Sequence, residues 1–89
     1  MNLNVFPAFT AEQHTRVVKA MRDAHRLAIV GESADTIAWA AFNALREAGI
    51  AAFPPSPNEQ PAMTRAALDG VLFCAVPDPA NGRIRLVAA

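Results

Sequence analysis

The chain has 89 residues, 53% of them apolar, which is room for one domain with one core. Eight basic residues balance eight acidic ones, so the basic face that a general nucleic-acid binder needs is not expected. The single cysteine, Cys74, excludes an internal disulfide framework, and no apolar run approaches the roughly 20 residues of a membrane span.

The opening MNLNVFPAFT has no basic segment leading into a long apolar stretch, so it reads as lacking a signal peptide, with a cytoplasmic setting as the default. Residues 1–9, with Val5, Phe6 and Phe9 around Pro7, read as an extended arm that packs on the domain or on another subunit. A helix is expected over 10–25. Thr10 and Gln13 have the spacing of a capping box, and Val17 or Val18, Met21, and Ala24 or His25 form its apolar stripe. Leu27–Val30 is a short continuous apolar run, the pattern of a strand covered on both faces. Gly31 ends it, and Ser33 or Asp35 caps a second helix over Ala34–Ala48 that stops at Gly49.

Ile50–Phe53 reads as a second strand, and the prolines of 54–57 read as a rigid loop. A short helix is expected over Pro61–Asp69, ending at Gly70. Val71–Val76 is the strongest buried-strand signal. Residues 77–82 turn the chain into an edge strand over 83–88, with Ile84 and Leu86 on one face and Arg83 and Arg85 on the other. The core is expected to rest on Leu27, Ile29, Val30, Phe42, Leu45, Phe53, Leu72, Phe73 and Leu86.

The order α-β-α-β-α-β-β predicts one α/β domain over 1–89 with a βαβαβ core at 27–76. Its strands would be parallel, in the order 2-1-3, between two helical layers, with a C-terminal antiparallel edge strand. In such a sheet Gly31, Glu32 and Ser33 lie at a helix N-terminus that favours anions. The loops after the second and third strands then converge on the same rim.

LAIVGESADTIAWAAFNALREAGIAAFPPSP followed by DGVLFCAVP resembles the coenzyme A-binding Rossmann-type domain of succinyl-CoA synthetase alpha subunits and ADP-forming acyl-CoA synthetases. The resemblance covers about the middle 50 residues. It implies a Rossmann-like fold and a coenzyme A or nucleotide site at Val30, Gly31, Ser33, Phe53, Pro54, Ser56, Pro57, Val76 and Pro77. The chain departs from the family in Glu32, whose carboxylate stands where phosphate would approach. It also departs in a shortened first turn and in the helix missing after Val76-Pro77.

Trp39 falls on the polar arc of the second helix, with Asn43 and Arg46, where a tryptophan can anchor a partner. With Phe6 and Phe9 of the arm these residues form a candidate interface. His14 and His25 are too far apart to share a metal without further ligands. Cys74 reads as a small core residue with no base beside it, and no catalytic arrangement is evident. Two functional readings result. One is a non-catalytic protein-interaction or self-assembling module; the other is a coenzyme A- or nucleotide-binding module.

Overall fold

The computed structural model describes residues 8–56, 62–78 and 82–89. The first helix, α1 (Ala11–Ala20), starts at the capping box: Thr10 Oγ1 accepts from the Gln13 amide at 3.2 Å, and Gln13 Oε1 accepts from the Thr10 amide at 2.8 Å. Helical φ/ψ lapses at Met21, and α2 (Arg22–Ile29) follows. Hydrogen bonding runs through the lapse, since the Met21 amide reaches Val17 O at 3.0 Å and the His25 amide reaches Met21 O at 2.9 Å. The expected helix over 10–25 is therefore two short helices, the second reaching Ile29.

Leu27–Val30 is thus the end of a helix and not a strand. Gly31, at φ 80°, is the glycine beyond that helix. Its amide donates to Ala28 O at 3.1 Å and the Glu32 amide to Leu27 O at 3.1 Å, the paired bonds of a Schellman motif. The third helix, α3 (Ala34–Glu47), is capped by Ser33, whose hydroxyl accepts from the Thr36 amide at 3.2 Å. It ends in a second Schellman motif, with Gly49 N to Arg46 O at 3.0 Å and Ile50 N to Leu45 O at 2.9 Å.

Four strands follow: β1 (Ala51–Ala52), β2 (Thr64–Leu68), β3 (Val71–Asp78) and β4 (Arg83–Ala88). They form one sheet in the order β1-β2-β3-β4, each pair antiparallel. This overturns the parallel, three-layer Rossmann-like arrangement in the order 2-1-3. With no strand between the helices, no βαβ crossover exists among the described residues, and the helices share one face of a meander. The helix expected over Pro61–Asp69 is β2 from Thr64 onward, and Pro61 lies outside the described residues. The C-terminal strand does pair antiparallel at the sheet edge, with Ile84 and Leu86 buried and Arg83 and Arg85 exposed.

The β2–β3 connection is a two-residue hairpin. Asp69 (φ 52°) and Gly70 (φ 82°) occupy the left-handed region between the paired Leu68 and Val71, as a type I′ turn requires. α3 lies across β1–β3 and α2 across β4. The core between the layers contains Val17, Met21, Ile37, Leu45, Phe73 and Ile84, all 1% exposed or less. Phe9 closes one end, with its ring edge-on to Phe73 at 5.2 Å. Phe42, Leu45, Phe73 and Leu86 are buried as expected, whereas Ile29, Val30, Phe53 and Leu72 are more than half exposed. Thr64 is fully buried and donates its hydroxyl to Ala38 O at 2.6 Å, tying β2 to the middle of α3.

Strand register also explains a proline inside β3. A two-residue turn makes Leu68 and Val71 a hydrogen-bonded pair, so odd-numbered residues of β3 turn their backbone groups toward β2. The Phe53 amide bond to Arg65 O at 2.9 Å agrees, because it directs the odd residues of β2 toward β1. Pro77 thus faces the β2 side, where pairing ends at Thr64 opposite Ala75. Its missing N–H removes no ladder bond.

Candidate functional site

The expected anion rim does not assemble. Gly31 and Glu32 complete the end of α2, and Ser33 caps α3, its hydroxyl also 2.9 Å from Thr36 Oγ1. Pro54 and Ser56 follow β1. Val76 and Pro77 lie within β3, paired with Arg85 and Ile84. Pro57 lies outside the described residues. These positions belong to a helix–helix connection, a loop and a strand interior. No row of parallel strand ends brings them together, so the coenzyme A-binding assignment has lost its scaffold.

The candidate interface on α3 has a definite geometry. Ile37, Ala38, Ala41, Phe42 and Leu45 are buried, which leaves Trp39, Asn43 and Arg46, spaced i, i+4 and i+7, along the outer ridge. Trp39 is 47% exposed. Its ring meets Phe42 edge-on, with centroids 5.6 Å apart and planes at 85°. The Arg46 guanidinium lies 5.4 Å from the centroid of the same Phe42 ring, within cation–π range. A shallow depression lined by Asn43, Arg46 and Glu47 adjoins the ridge. Phe42 therefore holds both the indole and the guanidinium. Phe9 does not join this surface, because it is 8% exposed and packed on Phe73; Phe6 lies outside the described residues.

Two further surfaces were not singled out by sequence reasoning. The sheet face away from the helices carries Phe53, Leu72, Cys74, Val76 and Val87, with Arg65, Arg83 and Arg85 beside them. Phe53 (52%) and Leu72 (57%) are exposed, while Cys74 (4%) and Val76 (8%) are covered by their neighbours. The second surface lies at the end of the helical layer over β4. Nearby, the C-terminal end of α2 presents Ile29 at 63% and Val30 at 70% exposure. The alternation of Arg83–Leu86 marked the edge in advance; the exposed end of α2 had no signal once Leu27–Val30 was read as a strand.

Among the described residues no group of three or more His, Cys, Asp or Glu side chains is placed to hold a metal ion. His14 Nδ1 and His25 Nε2 are buried and have no hydrogen-bond partner among the described residues. No helix among them is long and apolar enough to cross a membrane. No family model matches the chain, and neither a curated protein nor a solved structure matches it.

Proposed function

We propose that this chain is a non-catalytic protein-interaction module that holds its partner on the outer ridge of α3. The observation that carries the reading is the braced, half-exposed Trp39 beside Arg46. Trp and Arg are the residue types that most often dominate binding energy in interfaces. Here both are held by contact with Phe42 before any partner arrives, so little side-chain freedom remains to be lost on binding. The matching partner is a polypeptide with an apolar recess for the indole and a carboxylate for Arg46.

A photo-crosslinking residue at position 43 tests this in the cell of origin. It should capture a discrete partner that is lost with Trp39→Ala, while the same probe at Glu12, on exposed α1, does not capture it. Purified partner should then bind the Trp39→Ala chain at least about 30-fold more weakly, the cost of losing a hot spot of about 2 kcal/mol. Trp39 is the only tryptophan in the chain, so binding should also shift its fluorescence to the blue. Adducts at position 43 that persist in Trp39→Ala would defeat the proposal.

A further inference from the structure

The outer ridge of α3 carries its own complement. Asp35 stands in the first turn and Arg46 in the last, and both are exposed. Eleven residues make about three full turns, so the two charges lie on one line along the helix, about 16 Å apart. Trp39, one turn after Asp35, lies between them on the same side. Among the described residues neither Asp35 nor Arg46 has an ion pair.

Resting on the reading of this ridge as an interface, we infer that its partner is a second copy of this chain, with two α3 helices side by side and antiparallel about a two-fold axis. The axis passes at the level of Ala40 and Ala41, midway between Asp35 and Arg46, so each Arg46 meets Asp35 of the other copy. Trp39 lies within about 2 Å of that level along the helix. The two indoles therefore come together at the centre of the contact, where the residues that dominate binding energy cluster. The register that pairs the charges is thus the one that joins the tryptophans.

Other arrangements lose one or both features. A parallel pairing sets Arg46 beside Arg46 and Asp35 beside Asp35. A slide of one turn parts both ion pairs by about 5 Å and carries the indoles off centre. The antiparallel pairing also places the N-terminal end of each helix beside the C-terminal end of the other, where the macrodipoles attract. One patch serves as both surfaces, so the assembly closes at two copies. The zero net charge of the chain sets no general repulsion against it. Exposed ion pairs contribute little affinity; the indoles supply most of it, and the charges fix register and orientation.

Sedimentation velocity of the whole chain from micromolar to near-millimolar concentration tests the inference. Asp35→Arg and Arg46→Asp should each stay folded by circular dichroism and each weaken the dimer by about tenfold at low salt, since like charges then meet at both ends. Mixing the two variants should restore a mixed dimer to within about threefold of wild type, because opposite charges meet again at both ends. Trp39→Ala should weaken the dimer by at least about 30-fold, and dilution of the wild type should shift its Trp39 emission to the red. A wild-type chain that stays monomeric throughout would overturn the inference. So would single variants that dimerise as well as wild type, or a mixture that does not recover. A monomeric chain whose position 43 captures a different protein would refute self-pairing and leave the ridge an interface; adducts indifferent to Trp39→Ala would defeat both.

Discussion

Gln13→Glu separates two roles of one side chain. Gln13 Oε1 completes the capping box by accepting from the Thr10 amide at 2.8 Å. Its Nε2 donates to Asp69 Oδ2 at 2.9 Å, reaching from α1 to the β2–β3 turn 56 residues away. Glutamate keeps the first role, since a carboxylate serves equally well at that position of the box, and a negative charge near a helix N-terminus contributes about 0.5 kcal/mol. It loses the second role. A lost hydrogen bond costs about 1 kcal/mol, and two exposed carboxylates at about 4 Å repel by about 1 kcal/mol in water. The net loss is about 1.5 kcal/mol, or roughly 6–12 °C in Tm for a domain of this size. Thermal unfolding followed by circular dichroism at low and high salt measures it, and salt should recover the repulsive part. Asp69→Asn in the same chain should restore most of the stability, because Asn tolerates the φ of 52° at this position and can donate to the new carboxylate. If Gln13→Glu is as stable as wild type, or Asp69→Asn restores nothing, the link between α1 and the turn does not exist.

Thr64→Val should cost about 1 kcal/mol in urea unfolding with an unchanged m-value, because the bond to Ala38 O is lost while that carbonyl keeps its helical partner. An unchanged midpoint would show that the hydroxyl contributes nothing. His25→Leu should leave stability unchanged or raise it by about 1 kcal/mol, since it removes a buried Nε2 that no described group satisfies; a clear loss would reveal a partner for the imidazole. Gly82→Ala should cost about 1–2 kcal/mol, because φ is 67° and the new methyl would stand 3.3 Å from Ile29 Cγ1. A neutral result in calorimetry would mean that Ile29 yields readily.

What the sequence disclosed follows from how local each signal is. The Thr10–Gln13 box, the Ser33 cap, the Gly49 stop and the alternation of β4 depend on neighbours within a few residues, and each appears where the pattern placed it. The errors came from segments whose local pattern fits two states. Leu27–Val30 is four apolar residues, too short to separate a buried strand from a helix end. The glycine that follows it ends a helix in the same way as Gly49. Residues 64–68, TRAAL, carry helix-forming Ala, Arg and Leu, yet pairing with β3 overrides that preference. Asp69-Gly70 between Leu68 and Val71 was the signal for a hairpin; reading Gly70 as a helix stop concealed it. Once those two segments changed state, the parallel sheet and its ligand rim had no basis. The Trp39–Asn43–Arg46 ridge kept its geometry because it depends only on the periodicity of α3.

Among the described residues all the helices precede all the strands. As the chain leaves a ribosome at about 5–20 residues per second, the residues of α1–α3 emerge while those of their sheet are still unmade. Ile37, Ala41 and Leu45 then lack their sheet partners for on the order of seconds, and helices of 8–14 residues are marginal alone in water. The β2–β3 hairpin forms differently, because it joins strands adjacent in sequence through a two-residue turn. The core between the layers is completed only when the late strands reach the early helices. The hairpin at Asp69-Gly70 should set its pace, since β3 brings Phe73 to the centre of the waiting helical face.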